Sequence, residues 1–569
     1  MAKTSVRVSF GLYALEIKQD SSVSSASPLQ PFTKLADLEN GMSTQRAYAS
    51  YEPSFWLLDG EYKFLPESPY TTVHVGMMST ALSDGSGDFA TDPTLTITFG
   101  EVHTTDGLAL IFSPYTGDYC NSLTIAYYNA SNALIRSDNY TPANPEFSTG
   151  QAVSNFKKII ITFHGTNRAY RYLRLTSIDY GELITFQGSE VKECSIVEEV
   201  NQISAEVPYS TMDLTLYSNE AQFSILNPEG KYVALKERQP LSVYETVDNV
   251  SRFIGNYYLD EWENPSETDY KFSASDILGV LDGMTYSGGI WLGTGISIDD
   301  LLEEILSPIS VPYELDNTLT GTIVKGWLPT SSYRVALQQI GFAVGASITC
   351  ARAGSLQIFR SIIAAAETDG EIITKAQKGI SQSITLKPIV TSVQVTAHNY
   401  WPGGESQVLA SGSYSVGVHE ISFTEPMHAL TISGATIIES GVNYAIFLVA
   451  AAGTVALTGL KYIDTPSVLS INTPDLNVSI RPNVLKVENA TLVHSGNVVE
   501  VAQRVYDYHQ QRYAQKLKLF APNIQPGEVA IIDTLYNKQI IACIERMDSN
   551  LARGFVSNIE TRGAEYVLG

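Results

Sequence analysis

Apolar and polar residues alternate with a period of two through the first 190 residues, as in Thr94–Phe99, Ser122–Tyr127 and Lys158–Phe163. Turn sequences separate these runs at Asp84-Gly-Ser-Gly, Asp106-Gly and Tyr115-Thr-Gly-Asp. No window there keeps helical apolar spacing for three turns. Short alternating strands with frequent turns predict a β-sandwich of jelly-roll-like form.

The pattern changes from about Val191. Tyr209–Tyr217, Gln239–Glu245 and Phe253–Glu261 are strand-like, and Lys271-Phe-Ser-Ala-Ser leads into another element near Asp276. Two helices are then predicted. Ser297-Ile-Asp-Asp300 is a capping-box pattern with carboxylates at the positive end of a helix. Ile298, Leu301, Leu302, Ile305 and Leu306 follow helical spacing, and Pro308 ends the run. The second helix starts at Ser331-Ser332, buries Ala336, Leu337, Ile340 and Val344, and stops near Gly345. Ala346–Cys350 and Gly354–Phe359 read as a hairpin.

Strands return over residues 380–490, among them Ile384-Thr-Leu, Val390–Thr396, Gly417–Phe423 and Ala429-Leu-Thr-Ile. Gly441–Leu460 carries no charge, yet contains Asn443, two threonines and internal glycines. A membrane span needs about 20 lipid-compatible residues, so two strands about a glycine-containing turn, a buried hairpin, fit it better. A third helix is predicted over 498–516, with Val498, Val501, Ala502, Val505 and Tyr508 on one face. Strands at Lys516–Ala521, Glu528–Asp533, Gln539–Met547 and Gly554–Glu560 close the chain.

These elements divide the 569 residues into an N-terminal β-sandwich (1–190), a strand-rich domain (191–280), a small α/β domain with two helices (281–375) and a second strand-rich domain (376–569) containing the helix 498–516. The fold class is mainly β. Composition agrees: 32 Tyr, 41 Gly and 24 Pro suit strands and turns, and 44% hydrophobic against 17% charged excludes a disordered acidic chain.

Lys plus Arg number 36 and Asp plus Glu 60, a formal charge of −24, which argues against phosphate-backbone binding as the main task. Cys120, Cys194, Cys350 and Cys543 are widely spaced with no CxxC, so neither a disulfide scaffold nor a zinc site is expected, only buried thiols. The N-terminus has no apolar segment of secretory type.

GxSxG, HExxH, Walker A and complete GxGxxG patterns are absent, and Gly293-Thr-Gly295 is read as a turn before a helix. His419-Glu420 lies within a strand pattern, and the eight histidines have no metal-ligand spacing. Asp84-Gly-Ser-Gly-Asp88 begins like a calcium loop, but Phe89 and Leu95 stand where glycine and glutamate belong, so a plain turn is expected. No catalytic, cofactor-binding or metal-binding residue is nominated, and no enzyme is expected. Tyr115, Asp118 and Tyr119, with Tyr127 and Tyr128, are the residues placed to contact a glycan at a sandwich edge; packing is the competing role of strand tyrosines.

Several stretches carry a family likeness: Ile254-Gly-Asn-Tyr-Tyr-Leu-Asp-Glu261, Ala274–Asp282, Tyr286-Ser-Gly-Gly-Ile-Trp291, Ile298–Leu306 and Tyr333–Ala346. Near the end come Val501-Ala-Gln-Arg504, Pro526-Gly-Glu-Val529 and Ile544–Leu551. Over residues 200–569 the chain resembles the hub proteins of bacteriophage tails and of phage-derived bacteriocin baseplates. The resemblance implies that 191–280 and 376–569 are the first and second hub β-barrels, set in a trimeric ring at the end of a tail tube. It implies partners in the tube, the distal tail or baseplate and the tip or spike, without specific nucleic-acid binding or membrane insertion. The implied location is the virion tail, assembled in the host cytoplasm. The chain departs from the simplest hubs by about 190 residues in front, and a lysin or long fibre module behind is not expected. A glycan-binding adhesin or polysaccharide hydrolase acting at a cell surface is the alternative. The acidity suits a conduit that lets duplex DNA pass, and equally suits plain solubility.

Overall fold

The computed structural model describes residues 4–25, 32–34, 48–49, 52, 64–65, 77–112, 117–218, 223–225, 227, 235, 237–247, 250–309, 311–367, 369–474, 480–520, 523–534, 538–552 and 554–566. The architecture is mainly β, with five α-helices among these residues: α1 (Leu15–Asp20), α2 (Ile277–Asp282), α3 (Ile298–Leu306), α4 (Tyr333–Val344) and α5 (Val498–Gln510).

The N-terminal region is a sandwich. One sheet runs, in spatial order, Leu134–Tyr140, Cys120–Tyr128, Val153–Thr166, Thr94–Thr105 and Ser21–Ser25. The other is built on Arg174–Gln187, which pairs with Leu108–Phe112, itself paired with Glu146–Ser148. Because side chains alternate across each strand, Leu95, Ile97 and Phe99, Leu123, Ile125 and Tyr127, and Ile159, Ile161 and Phe163 all point inward. They meet Leu108, Leu110, Phe112, Leu175, Ile178 and Tyr180 in one core. The chain crosses between the sheets at most connections, as in a jelly roll.

Thr4–Tyr13 pairs on one side with Arg174–Gln187 of the sandwich and on the other with Pro240–Val247. The ladder continues through Val250–Glu263, Asp269–Ser275, Thr211–Tyr217 and Val191–Glu199 to Gln539–Asn550, antiparallel throughout. Val8, Phe10, Leu214, Val243, Ile254, Tyr257 and Phe272 fill this second core. The last strand belongs to two units. Gln539–Asn550 also pairs with Val529–Asp533 and Val556–Tyr566 in the C-terminal sheet, whose core holds Leu517, Ile532, Ile540, Ile544 and Ile559.

Both predicted helices between these sheets are present. Ser297 accepts the Asp300 amide at 3.1 Å and caps α3; Ser332 accepts the Val335 amide at 3.2 Å and caps α4. Gly345 ends α4 at φ 81°, the left-handed conformation that glycine adopts without penalty. The expected hairpin forms between Ala346–Thr349 and Leu356–Arg360.

Two expectations are corrected. The uncharged segment 441–460 does contain two strands, Tyr444–Val449 and Gly453–Asp464, but they do not pair with each other. The first pairs with Gly417–Ser422 and Thr436–Ser440, the second with Tyr400–Tyr414 and Met427–Ser433. Phe447 and Val449 therefore meet Val455 across two facing sheets. Ala445, Phe447 and Val449 of the first strand and Val455 and Leu457 of the second alternate and are buried, because the two sheets pack face to face. The third helix stops at Gln510, not at 516. Beyond it Gln515, Leu517 and Leu519 are buried at period two, and Tyr513–Phe520 becomes a strand between Lys378–Leu386 and Val556–Tyr566. The apolar face of α5 packs on the small sheet of Ser392–Ala397, Ser467–Asn472 and Val484–Val487.

Candidate functional sites: buried joints and open surfaces

The chemistry concentrated in this molecule lies where the units meet. Glu198 ends the inward series Cys194, Ile196, Glu198 and is fully buried. Both its carboxylate oxygens accept from Arg352 Nε at 3.0 Å, and Arg352 Nη1 reaches Glu245 Oε1 at 3.4 Å. Arg352 stands in the turn of the 346–360 hairpin at φ 56°. Its guanidinium also lies 3.5 Å from Met547 Sδ and 5.8 Å from the Phe555 ring. One side chain thus ties the α/β unit to the strands that carry Glu198 and Glu245 and to the shared strand Gln539–Asn550. Burial raises the pKa of Glu198 against the opposing pull of Arg352, and burial likewise raises that of Glu245. Arg252, 3.9 Å from Glu245, adds a half-exposed second cation.

A second joint links α5 to the shared strand. Tyr508 donates to Glu545 Oε1 at 2.8 Å, as does Gln202 Nε2 at 3.2 Å, and Gln511 Nε2 donates to Gln202 Oε1 at 3.2 Å. Arg562 stacks on the Tyr508 ring at 4.1 Å. Burial, then the Arg562 charge, lowers the pKa of His509 to about 4, and burial raises that of Glu545.

The third joint is Asn443, fully buried. It accepts Trp327 Nε1–H at 2.7 Å and donates to the carbonyls of Ser287 and Leu328, both at 2.8 Å. This anchors the 400–464 sandwich to the α/β unit. Gly288 is required beside it: at φ 73°, a Cβ would sit 2.2 Å from Leu328 O and 2.4 Å from Asn443 Nδ2. The sequence placed a tight bend at Gly288-Gly289, and Gly289 does pack against Trp291.

The glycan candidates separate. Tyr115 lies outside the described residues. Asp118 is buried, with Arg168 Nε at 2.6 Å and Arg171 Nε at 3.7 Å. Tyr119 is half-buried against the sandwich core, while Tyr127 is fully enclosed and Tyr128 lies under Lys158. Asp84 turns its carboxylate onto the Ser86 and Asp88 amides at 2.7 and 3.0 Å; those backbone bonds, Asp88 first, lower its pKa. His103, His164 and His398 each pair with a carboxylate, Asp20, Asp92 and Asp464. All four cysteines are buried, and burial pushes their thiols up, Cys194 to about 12. Among the described residues no helix is long and apolar enough to cross a membrane.

Exposed apolar side chains gather in the C-terminal third: Ile372, Ile384, Leu386, Trp401, Val408, Val418, Ile438, Ile463, Val468 and Phe520. Sequence reasoning missed this, because alternation alone does not say which face of a strand is covered.

No family model and no curated protein matches this chain. Among solved structures it is similar to the prophage MuSo2 43 kDa tail protein from Shewanella oneidensis, at 10% identity, 66% of this chain, 94% of that chain and TM-score 0.38. It is similar to the tail protein from Neisseria meningitidis MC58, at 10% identity, 67% and 93% coverage and TM-score 0.39. The prophage tail protein gp18 from Listeria monocytogenes EGD-e matches at 11% identity, 67% and 91% coverage and TM-score 0.37. All three are tail proteins.

Proposed function

We propose that this chain is a structural component of a phage tail or phage-tail-like particle, a hub joining the tail tube to the baseplate or tip, present as a ring of three copies. The observation that carries the reading is the joining of two sheets through the shared strand Gln539–Asn550. That strand is hydrogen-bonded to Val191–Glu199 of one sheet and to Val529–Asp533 and Val556–Tyr566 of the other, and Arg352 locks the junction. Shared strands and buried ion pairs make a stiff body, the property a load-bearing connector needs. The polar groups gathered at these junctions hold elements together, and a reacting group would have to be open to substrate. In this reading the N-terminal sandwich is the attachment module and the chain performs no catalysis.

Electron microscopy of the intact particle tests the proposal. Three copies at the end of the tail tube are expected; one copy, or six equivalent copies, would overturn it. The purified chain, freed of contaminating lysins, should leave peptidoglycan, cell-wall polysaccharide and peptides intact. Turnover that maps to a carboxylate pair of this chain would favour the hydrolase alternative.

A further inference from the structure

The strand Lys378–Leu386 is hydrogen-bonded to Tyr513–Phe520 on one edge and, among the described residues, to no strand on the other. Its register places Ile384 opposite Gln515 and Gln382 opposite Leu517. Gln515 and Leu517 are buried, so Ile384 and Leu386 lie on the face that forms core further along the sheet. They are nonetheless 45% and 55% exposed, and residues 382–388 are exposed without interruption. Proteins ordinarily cover or blunt a strand that is open on its edge. Here the core-side face is open as well.

Charge sets this margin apart. Residues 372–404 and 508–527 contain no Asp or Glu, in a chain of formal charge −24. The same two stretches carry Lys375, Lys378, Lys387, Arg512, Lys516 and Lys518. Lys516 is matched by Glu560 of the adjoining strand, whereas Lys387 and Lys518 form no ion pair among the described residues. The complementary surface is a cleft of about 970 Å³ whose walls include Glu367, Asp369, Glu371 and Glu528 and no Lys or Arg. Beside it the short strand Glu371–Ile373 pairs only with Val529–Asp533 among the described residues and leaves Ile372 57% exposed.

We propose that the open margin 382–387 of one copy docks in the acidic cleft of the next, Ile384 and Leu386 against Ile372 and the lysines against the cleft carboxylates. The two surfaces share no residue, so the contact is head-to-tail, and a head-to-tail contact whose rotation is one third of a turn closes a ring of three. A second copy fits better than a phosphate backbone, which would engage the lysines and leave Ile384 and Leu386 uncovered. The inference rests on the hub reading and names the surface that the ring uses.

The test uses full-length chain in assembled particles. Lys387→Glu with Lys518→Glu should lower the copies incorporated per particle by about tenfold. Glu367→Lys with Asp369→Lys should do the same, and a chain carrying both reversals should assemble again. Reversed variants that keep the wild-type unfolding transition and incorporate normally would overturn the proposal. A benzophenone amino acid at the exposed Thr385 gives a reading that does not depend on charge. Its cross-links should fall in 367–371 or 525–529 of another copy; cross-links elsewhere, or none in three-copy particles, sink the surface while leaving the ring intact. One or six copies in the particle would sink the ring reading itself. Retention of duplex DNA at low salt that disappears in the Lys387→Glu, Lys518→Glu chain would assign the margin to nucleic acid and also overturn the proposal.

Discussion

Replacing Arg352 by Met removes the one deeply buried cation between Glu198 and Glu245 while keeping an apolar stem against Phe555 and Met547. The φ of 56° is shared by any non-glycine residue there, so backbone strain is unchanged and the substitution isolates charge. Glu198 and Glu245 side chains are 0% and 2% exposed, so two carboxylates would remain in low dielectric with only the 3.9 Å Arg252 contact. Breaking a buried ion pair by removing one partner costs about 3–5 kcal/mol. The cost should depend on pH with a definite sign. Both carboxylates are raised above the ordinary glutamate value of 4.5 by burial, and loss of Arg352 raises them further. A carboxylate whose folded pKa exceeds its unfolded one binds more protons when folded. It destabilises increasingly as pH rises above the unfolded value, until the folded value is passed. The defect should therefore be larger at pH 7 than at pH 5. Several cores preclude a single two-state transition, so the measurement is hydrogen exchange of the amides in Val191–Glu199 and Pro240–Val247, read against pH. Glu198→Gln and Glu245→Gln added to Arg352→Met should recover most of the loss. A defect below about 1 kcal/mol, or one equal at both pH values, would refute the assignment of this triad as the lock between units.

Asn443→Ala removes bonds to Trp327, Ser287 and Leu328, at a cost of about 1–3 kcal/mol for the groups left unpaired. Limited proteolysis should then release the 400–464 sandwich sooner, while the N-terminal sandwich keeps wild-type resistance. His509, lowered to about 4 from 6.5, binds fewer protons folded than unfolded, so its contribution is present above pH 6.5 and is lost as pH falls toward 4. Proton NMR of the ring should show it neutral at pH 5.5, and His509→Gln should flatten that part of the stability profile. The four buried thiols should resist iodoacetamide at pH 8 until the chain unfolds, with labelling read by mass spectrometry.

Local signals were legible wherever a few consecutive residues decide the outcome. Ser297, Asp300 and the spacing from Ile298 to Leu306 specified α3; Ser332 and Gly345 bounded α4; period-two runs located the sandwich strands. Each depends on backbone geometry within one or two turns, which the side chains nearby control. The resemblance at 254–261 and 286–291 likewise rests on contiguous residues. Asp118 and Tyr119 were legible as residue types, but nothing local could tell that Arg168, fifty positions on, would bury the carboxylate.

Tertiary structure decided the rest. Whether 441–460 became a hairpin or two strands of facing sheets turned on partners at 400–440. The helix begun at Val498 gave way at Gln510 because Tyr513–Phe520 had two flanking strands to complete. Gln539–Asn550 reads as one ordinary strand, yet it joins two sheets, because Val191–Glu199, some 350 residues earlier, offers its edge. Glu198, Glu245 and Arg352 look like surface charges in sequence, since the meeting of Arg352 with the two carboxylates arises only when two units pack. Alternation states that a strand has an apolar face; which faces are covered, and that Ile384 and Leu386 are not, depends on every other segment competing for that space.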